Sequence, residues 1–377
     1  MRALVTGGAG FIGSHLVDRL LGDGCAVRVL DSLEPRVHPS GRPTYLPSEI
    51  DFVEGDVRDR GAVSQALADV DVVFHQAAYQ DLMPNYSRFF DTNATGTALL
   101  YEVIESERLP VRKVVVASSQ AVYGEGEYAC AEHGIVQPPA RPAERMSRGM
   151  WEPICPSCGA EMQPVRLTED TANPYNQYAL SKYIQELTAL RIGRRIGVPS
   201  VALRYSITQG PRQSLYNQYS GICRIFTLRL LSGRPPIVFE DGRQQRDYVH
   251  VDDVVEANMV VLADDRADYE AFNVGSGTAT TVLAYAQALT AKLGASIAPT
   301  MSGEYRVGDN RHSVSSIEKL ARLGWAPRRG LSDILDDYVA WVGTLGHLRA
   351  PFEEADRAMR DRAVIRRAEV QPGGGDG

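Results

Sequence analysis

A glycine-rich stretch near the start of the printed sequence constrains the fold more than any other feature. Residues 2–5 lead into Gly7-Gly8-Ala9-Gly10-Phe11-Ile12-Gly13, and an amphipathic segment follows. Glycines at this spacing between a strand and a helix permit a tight turn, close approach to a pyrophosphate and close packing of the helix on the strand. The pattern therefore predicts a doubly wound, parallel α/β sheet of the Rossmann type. It also predicts dinucleotide contacts from the turn residues Gly7, Gly10, Phe11, Ile12 and Gly13.

An acidic residue at the end of the second predicted strand indicates which dinucleotide is bound. The apolar run 26–30 ends at Asp31. A carboxylate there accepts both ribose hydroxyls and repels a 2′-phosphate, which favours NAD over NADP. The alternative is an ordinary loop carboxylate. Asp56, after the third predicted strand, lies where it can reach the adenine edge; alternatively, it caps the helix that follows.

Size and composition limit the possible classes of protein. A chain of 377 residues has room for a nucleotide-binding domain and a smaller second domain. The net charge of −7 gives no general attraction to nucleic acid or anionic lipid. No basic segment precedes an apolar leader, and no apolar run approaches the roughly 20 residues that span a bilayer. We therefore expect a cytoplasmic protein without nucleic-acid or membrane partners, whose five cysteines are thiols or metal ligands.

Tyr178 and Lys182 form a candidate catalytic pair. They lie four residues apart, so a helix places them on one face, one turn from each other. A phenol must lose about three pKa units, or about 4 kcal/mol, to act as a base near pH 7. One cation at ~4 Å in an effective dielectric of ~20 supplies about that much. The alternative is a surface Tyr and Lys on an ordinary helix.

A serine at the end of the fifth predicted strand, 111–117, completes this set. Ligands of open α/β sheets bind at the carboxyl ends of the strands, and Ser118 and Ser119 fall there. A hydroxyl at this place can bond the substrate oxygen that Tyr178 deprotonates, and we assign this role to Ser119. Ser118 could instead satisfy the end of the strand.

Together these motifs resemble the extended short-chain dehydrogenase/reductases that act on nucleotide-sugars. The resemblance covers residues 1–345, and its main matching stretches are Thr6–Gly13, His75–Ala78, Tyr178–Lys182, Gln244–Val254 and Leu323–Pro327. It implies a Rossmann domain with tightly bound NAD and a smaller C-terminal α/β domain for the nucleotide-sugar. It also implies a homodimer formed through the helices near residues 92–107 and 175–192.

The resemblance implies domain boundaries as well. The NAD-binding domain comprises residues 1–204 and contains an insertion at 125–168. The substrate-binding domain comprises residues 205–345, of which 246–262 return to the first domain. Residues 346–377 are charged and then glycine-rich, so we expect a mobile tail.

Further binding residues follow from the same resemblance. The additional cofactor residues are Asp56, Val57, Ala77, Ala78, Asn93, Ser118 and Tyr205, together with Tyr178 and Lys182. The substrate residues are Ser119, Gln120, Tyr178, Arg246 and Arg306. A guanidinium suits a diphosphate because it binds phosphate in a bidentate way; the alternative for both arginines is a surface salt bridge. One departure from the family is Ile207, where an Asn usually contacts the diphosphate region.

The favoured activity is NAD-dependent 4-epimerisation of a nucleotide-sugar, through oxidation at C4, rotation of the 4-keto sugar and hydride return. Related 4,6-dehydratases carry an Asp-Glu pair directly after the active-site Ser or Thr. This chain has Gln120 and Ala121 there, and neither can transfer that proton. A dehydratase or decarboxylase of the same family is the alternative enzyme, and a catalytically silent NAD-binding protein is the alternative from another class.

The insertion is the second departure, and it contains a zinc-knuckle-like pattern. Cys130 and His133 form one pair, and Cys155 and Cys158 form another, each with two intervening residues. This spacing lets both ligands of a pair face one tetrahedral ion, and Cys₃His is a closed structural zinc site. The alternatives are a Cys155–Cys158 redox pair and a disordered insert. The stretch Trp151–Gly159 resembles that of dTDP-L-rhamnose 4-epimerases, which implies a dTDP-6-deoxyhexose substrate.

Overall fold

Seven parallel strands form the central sheet of the computed structural model, which describes residues 1–81, 85–215, 221–346 and 365–369. Their bounds are Arg2–Thr6 (β1), Ala26–Asp31 (β2), Asp51–Glu54 (β3), Val72–His75 (β4), Lys113–Ser119 (β5), Ser200–Tyr205 (β9) and Ala271–Val274 (β14). The order across the sheet is β3-β2-β1-β4-β5-β9-β14. The order reverses beside β1, and a reversal of this kind creates the crevice in which dinucleotides bind. The predicted fold class is confirmed.

Helices cover both faces of this sheet. Their bounds are Phe11–Gly22 (α1), Arg60–Leu67 (α2), Tyr86–Phe89 (α3), Gly96–Ser106 (α4), Gln177–Ile196 (α6), Val251–Ala263 (α8) and Glu318–Ala321 (α10). A π-helical turn, Phe90–Thr95, joins α3 to α4, and short 3₁₀ turns occupy Gln120–Tyr123 and Asp265–Ala267. None of the helices in the described ranges combines the length and the apolarity that crossing a membrane requires.

The alternation of side chains along β1 shows how the sheet is buried. Ala3 and Val5 pack in the cluster that contains residues of α1 and α8, whereas Leu4 packs in the cluster that contains residues of α2 and α4. Both faces of the sheet are therefore shielded from water. This is why the strands are continuous apolar runs and do not alternate between apolar and polar residues.

A smaller unit with its own apolar core follows β9. Its elements are Ile207–Gln209 (β10), Gly221–Leu231 (α7), Ile237–Val238 (β11), Gln245–Arg246 (β12), Tyr248–His250 (β13), Thr280–Thr281 (β15), Val282–Lys292 (α9), Thr300–Met301 (β16), Glu304–Arg306 (β17) and Leu331–Gly343 (α11). Helices α7, α9 and α11 bury Phe226, Leu289 and Tyr338 together. The chain returns to the large sheet through α8, which packs on α1, and also through β14 and α10. This return extends beyond the predicted 246–262.

The insertion folds as a small unit between β5 and α6. Strand β6 (Tyr128–Cys130) pairs antiparallel with β7 (Gly134–Val136) and with β8 (Gln163–Pro164), and a short helix, α5 (Ala143–Ser147), lies between β7 and β8 in the chain. Tyr128, Cys130, Cys155 and Met162 pack together as a small core.

One strand lies within the segment predicted to be a mobile tail. Strand β18 (Ile365–Arg367) pairs antiparallel with β17, and the Ala368 N–H donates to the Gly303 carbonyl at 2.9 Å. Main-chain pairing and the burial of Ile365 fix this segment. The prediction of a mobile tail is therefore wrong for residues 365–369, while 347–364 and 370–377 lie outside the described residues.

Candidate active site

A large cavity, of about 1830 Å³, lies at the carboxyl ends of the parallel strands and continues into the smaller unit. Nearly all of the predicted binding residues are on its wall. They are Gly7, Gly10, Phe11, Ile12, Gly13, Asp31, Asp56, Val57, Ala77, Ala78, Ser118, Ser119, Gln120, Tyr178, Lys182, Tyr205, Arg246 and Arg306. The fold thus brings the dinucleotide pattern, the catalytic set and the two arginines to one space.

The glycine-rich turn is shaped by the absence of side chains at two positions. Gly7 has a φ of +68°, and a Cβ there would lie 2.7 Å from the backbone nitrogen of Ala77. A Cβ on Gly13 would lie 2.2 Å from the Gly7 carbonyl oxygen, so only glycine lets α1 begin this close to β1. The first turn of α1 therefore presents backbone N–H groups at the cavity wall, an arrangement that fits a pyrophosphate.

Asp31 lies beside the glycine-rich turn, on the same part of the cavity wall. Its Oδ2 accepts from the Ala9 N–H and its Oδ1 from the Leu33 N–H, both at 2.9 Å. Burial raises the pKa of this carboxyl. Each oxygen keeps a second lone pair, which suits the two ribose hydroxyls expected of NAD. Residues 36–45 close this end of the cavity, and the Tyr45 hydroxyl donates to the Ala9 carbonyl at 2.7 Å.

Asp56 lies on the cavity wall but does not cap a helix. Its carboxylate pairs with the Arg58 guanidinium at 2.9 and 2.7 Å, and this hydrogen bonding lowers the pKa of Asp56. The residue that caps α2 is Asp59, whose side chain accepts from the Ala62 N–H at 2.7 Å. The capping alternative for Asp56 is therefore wrong.

Ser119 and Tyr178 lie on two elements that meet at the cavity. Ser119 ends β5, and its Oγ accepts from the Ala121 N–H at 3.2 Å, which leaves the hydroxyl proton to donate. Tyr178 lies in the first turn of α6, whose start is capped by the Asn176 side chain accepting from the Ala179 N–H. The positive end of a helix stabilises an anion by roughly 0.3–1 kcal/mol, so this position favours a phenolate.

Lys182 lies one turn after Tyr178 and is held by two protein acceptors. Its Nζ donates to the Ala117 carbonyl at 2.6 Å and to the Gln185 Oε1 at 2.7 Å. Complete burial lowers the pKa of this ammonium to about 7. An ionised phenol one turn away favours the charged lysine again, because opposite charges stabilise each other.

A buried hydrogen-bond chain that the sequence interpretation missed links the catalytic lysine to the glycine-rich turn. Gln185 Nε2 donates to Thr97 Oγ1 at 3.0 Å, and Thr97 donates to the Asn93 carbonyl. His75 Nε2 bonds Thr97 at 2.9 Å and His75 Nδ1 bonds Thr6 at 2.8 Å. Because Thr97 donates its hydroxyl proton to the Asn93 carbonyl, it can only accept from His75. His75 therefore donates at Nε2 and accepts from Thr6 at Nδ1. Burial lowers the pKa of His75 to about 3, which keeps it neutral. A polar residue at the end of the apolar strand β4 is the sequence signal for this chain.

Two predicted cofactor residues have their side chains engaged by protein groups. Asn93 is completely buried: its Oδ1 accepts from the Tyr79 N–H, and its Nδ2 donates to the Tyr79 carbonyl and the Ser181 hydroxyl. It is not on the cavity wall, so the prediction of a direct cofactor contact disagrees with the structure. The Ser118 hydroxyl donates to Glu186 at 2.7 Å, which agrees with the strand-end alternative.

The two predicted diphosphate ligands reach the cavity from the smaller unit. Arg246 is buried, and its guanidinium donates to the carbonyls of Asn310 and Arg311, both at 2.9 Å. The Arg306 guanidinium lies 5.3 Å above the centre of the Phe239 ring. Within the described ranges, no acceptor pairs with the buried Nε of Arg306. Arg246 also lies 3.6 Å from the Asp309 carboxylate, but its own side chain is only 9% exposed, so this ion pair is not a surface pair on the arginine side.

Gln120 and Ile207 complete the part of the wall between the two units. The Gln120 Oε1 accepts from the Ser313 hydroxyl at 3.1 Å, so its orientation is set by the smaller unit. Ile207 begins β10, next to Tyr248 of β13 in the parallel register. It places an apolar side chain on the cavity where the resemblance leads one to expect an amide.

The four predicted metal ligands converge in the insertion. All four ligand atoms lie within 4.8 Å of one another. His133 Nδ1 lies 3.6 Å from the sulfurs of Cys130 and Cys155, and the Cys130 and Cys158 sulfurs are 3.7 Å apart. A tetrahedral zinc with Zn–S of about 2.3 Å and Zn–N of about 2.0 Å has S···S edges of about 3.8 Å and S···N edges of about 3.5 Å. Three of the six ligand–ligand edges therefore match those of a tetrahedral zinc site.

The backbone around the cluster also has the form of two matched turns. Gly134 follows His133 with a φ of +69°, and Gly159 follows Cys158 with a φ of +73°. Both values lie in the left-handed region that favours glycine. The sequence interpretation noted only the second glycine, although Cys-x-x-His-Gly and Cys-x-x-Cys-Gly carry the same signal.

Comparisons with known proteins agree with this geometry. A family described as the NAD dependent epimerase/dehydratase family matches residues 3–144 and 156–275, with the break inside the insertion. The chain belongs to this family, and the family resemblance predicted from its motifs is confirmed.

Individual relatives are similar over almost their whole length. The dTDP-L-rhamnose 4-epimerase of Burkholderia thailandensis is 33% identical over 348 residues, covering 90% of this chain and 94% of the relative. The structure of UDP-glucose 4-epimerase from Thermotoga maritima with UDP-glucose is 31% identical, with a TM-score of 0.74 and coverage of 91% and 99%. The structure of UDP-glucose 4-epimerase from Thermus thermophilus in complex with NAD is 29% identical, with a TM-score of 0.71 and coverage of 92% and 100%.

Proposed function

We propose that this protein is a nucleotide-sugar 4-epimerase that keeps NAD bound through each turnover. The observation that carries the proposal is the convergence of Ser119, Tyr178 and Lys182 on one cavity. At one end this cavity has the glycine-rich turn and Asp31, and at the other it has Arg246 and Arg306. A dinucleotide and a nucleotide-sugar can therefore meet at the catalytic set. The family and the two 4-epimerase structures described above support the same activity.

The chain's own residues supply positioning and proton transfer. NAD, held by the glycine-rich turn and Asp31, would supply the hydride acceptor for C4 of the sugar and the hydride donor for the return step. Tyr178 removes the proton of the 4-hydroxyl, and Ser119 bonds the same oxygen and holds it near the phenol. Lys182 stabilises the Tyr178 phenolate, together with the start of α6. Proton return from Tyr178 completes the inversion, so the base is regenerated in each cycle.

The alternatives in the family fit the site less well. Dehydration across C5–C6 needs an acid and a base directly after the serine, where this chain has Gln120, bonded to Ser313, and Ala121. No additional acid of this kind is placed there for a decarboxylase either. A catalytically silent NAD-binding protein would not need a serine, a tyrosine and a lysine on a common cavity wall. This chain has Ser119, Tyr178 and Lys182 there.

The proposed substrate is a dTDP-linked 6-deoxyhexose, with UDP-linked hexoses as the second choice. The 33% identity to a dTDP-L-rhamnose 4-epimerase and the insertion support the first choice. Incubating the holoenzyme with dTDP-, UDP- and GDP-sugars and following H4 by NMR tests the proposal. Inversion at C4 of one or more of these sugars is expected. Inversion only at C2 or C5, or a 6-deoxy-4-keto product from a glucose nucleotide, would contradict it.

We further propose that the cluster of Cys130, His133, Cys155 and Cys158 binds a structural zinc ion. The edge lengths given above suit zinc, and four protein ligands leave no open position for a catalytic water. The cluster lies in the core of the insertion, where Cys155 and Cys130 are buried. Zinc there would hold β6 and the second turn together, so its role would be to order the insertion.

Metal removal provides a direct test. Protein purified under reducing conditions without chelator is expected to contain about one zinc per chain. The double variant Cys155→Ser/Cys158→Ser should lose the metal and become sensitive to protease within residues 125–168. Cys25→Ser removes a thiol outside the cluster and should keep both properties. Absence of zinc in the fresh, reduced wild-type protein would contradict the proposal.

We also propose that two copies associate through α4 and α6, as the resemblance implies. Leu180 and Ile184 are one turn apart on α6, and their exposed fractions are 39% and 41%. An apolar pair on a helix surface suits packing against the same helix of a second copy. Sedimentation is expected to show a dimer for the wild type and a monomer for Leu180→Lys/Ile184→Lys. A monomeric wild type at micromolar concentration would contradict this proposal.

A further inference from the structure

The insertion contacts the smaller unit through a buried group of charges that the proposed reaction does not use. We define the ionic cluster as Glu125, Arg141 and Glu152 of the insertion with Glu240, Asp241 and Arg311 of the smaller unit. Five of these side chains are less than a quarter exposed, and Glu152 is 32% exposed. Charges removed from water in this way are costly unless they are paired in a defined geometry.

Arg311 is the centre of the ionic cluster and is completely buried. Its Nε and Nη2 donate to the Glu152 Oε1 at 2.9 and 2.6 Å. Its two Nη atoms also donate to Glu240 and Asp241, at 2.8–2.9 Å. Its main-chain N–H donates to the Glu125 Oε1 at 2.7 Å. Two residues of the insertion therefore hold both the side chain and the backbone of Arg311.

Arg141 provides a second link between the units. Its guanidinium makes a bidentate pair with Glu240, at 3.0 and 2.8 Å, and donates to the Asp309 carbonyl at 2.9 Å. Arg141 therefore fixes the segment two residues before Arg311.

A separate route runs from Glu152 through a histidine. The Glu152 Oε2 lies 3.0 Å from His312 Nε2, and the Gln245 N–H donates to His312 Nδ1 at 3.2 Å. Since Nδ1 accepts, Nε2 carries the proton and donates to Glu152. The carboxylate of Glu152 thereby orients the ring that holds the residue before Arg246.

Both routes end at a proposed substrate ligand. The carbonyls of Asn310 and Arg311 accept from the Arg246 guanidinium, each at 2.9 Å. The cavity wall includes Arg306 and residues 307–310 of the same segment. The position of this wall is therefore coupled to the insertion through Arg311 and His312.

We propose that the insertion is a positioning element for the substrate diphosphate: Glu125, Arg141 and Glu152 hold Arg311 and His312, and these set the Arg246 guanidinium. The proposal rests on the proposed function in one respect, namely that Arg246 binds a diphosphate. The insertion also connects the strand of Ser119 to the helix of Tyr178. It thus fixes the distance between the diphosphate site and the catalytic set, and a displacement of about 1 Å is enough to impair binding or chemistry.

The variant Glu152→Gln tests this role with little change in shape. It removes the charge that Arg311 and His312 share, while Glu240 and Asp241 still pair with Arg311. Dissociation constants of the holoenzyme for dTDP and UDP are measured by calorimetry, with KM and kcat for the best nucleotide-sugar. We expect the better-binding nucleotide to lose about tenfold in affinity and KM to rise by a similar factor. The change in kcat should stay within about threefold, with the NAD and zinc contents unchanged.

Glu144→Gln is the matched control. Glu144 is an exposed glutamate of the insertion that pairs only with Arg148 in the described part of the chain, and its variant should keep wild-type affinity. Glu152→Asp retains the charge, and its affinity for the nucleotide should lie between those of the wild type and Glu152→Gln. If Glu152→Gln is unstable, this second variant still tests the role of Glu152. In an Arg246→Met background, Glu152→Gln should change affinity less than twofold, because the group it positions is gone.

Two results would overturn the positioning role. One is unchanged nucleotide affinity in Glu152→Gln, and the other is the same tenfold loss with and without Arg246. Nucleotide binding requires no turnover, so the outcome is separate from that of the proposed function. A loss of affinity in a protein that inverts no sugar would support the inference and contradict the 4-epimerase assignment.

Discussion

Replacing Tyr178 with phenylalanine is expected to lower kcat for C4 inversion by about 10³-fold or more. The variant keeps the ring that lies 6.5 Å from Phe89 but loses the group that takes the proton of the 4-hydroxyl. General-base catalysis contributes about 10²–10⁴-fold, so a 10³-fold loss corresponds to about 4 kcal/mol of transition-state stabilisation. The NAD content of the purified variant should equal that of the wild type, because Asp31 and the glycine-rich turn are unchanged.

Tyr183→Phe is the control for this experiment. Tyr183 is on the same helix, is partly buried against Val122, Tyr123 and Leu167, and is not on the cavity wall. Its variant also loses one hydroxyl and should keep nearly wild-type kcat. A Tyr178→Phe enzyme with more than a tenth of wild-type kcat would remove Tyr178 from the role of base.

Replacing Lys182 with methionine is expected to cost about 10²–10³-fold in kcat at pH 7. Without the ammonium, the Tyr178 phenol returns toward a pKa near 10, so only about one molecule in 10³ carries the phenolate at pH 7. The kcat of the variant should therefore rise about tenfold for each pH unit between 7 and 9. Wild-type kcat should rise much less over this range. A variant with a flat pH profile would contradict the account of Lys182.

The same variant makes a prediction about stability. Burial lowers the pKa of Lys182 to about 7, whereas an unfolded lysine titrates near 10.5. Between these values the unfolded chain binds more protons, so Lys182 makes the free energy of unfolding increase with pH. Denaturant unfolding at pH 7 and pH 10 should show that wild type gains stability relative to Lys182→Met by several kcal/mol as pH rises. The opposite trend would show that the folded protein binds the Lys182 proton more tightly than the unfolded chain does, so that the pKa of Lys182 is raised rather than lowered.

The sheet and most of the cavity wall could be predicted because they depend on local patterns. Glycine is required at positions 7 and 13 because a Cβ there would clash with neighbouring backbone atoms. Asp31 is placed by being the last residue of β2. Tyr178 and Lys182 share a helix, so a spacing of four fixes their relation. Each of these residues has a local signal in the chain, although the contact that excludes a Cβ at Gly7 is made with Ala77, 70 residues further on.

The parts that could not be predicted depend on contacts between distant segments. The side chain of Asn93 is taken up by Tyr79 and Ser181, and the latter lies 88 residues further on. Strand β18 depends on pairing with β17, about 60 residues earlier in the chain, and its own sequence carries no strong strand signal. The ionic cluster brings Glu152 to Arg311, 159 residues apart. No periodicity in the sequence encodes such distances.

The cysteine cluster lies between these two cases. The spacing within Cys130–His133 and within Cys155–Cys158 indicates two ligand pairs, but the sequence does not show that both pairs meet. They meet because β6 and the second turn are joined by the small core around Tyr128 and Met162. The sequence therefore predicted which four residues belong together, and the fold brings their ligand atoms within 4.8 Å of one another.

The central claim, that the sugar is inverted at C4 by removal and return of the same hydrogen, has a direct isotopic test. The holoenzyme is incubated in ordinary water with its best nucleotide-sugar deuterated at C4, and the epimer is analysed by NMR and mass spectrometry. The account predicts an inverted C4 that keeps its deuterium, since only the hydroxyl proton passes through Tyr178. Inversion with loss of deuterium to water, or inversion at another carbon, would contradict it.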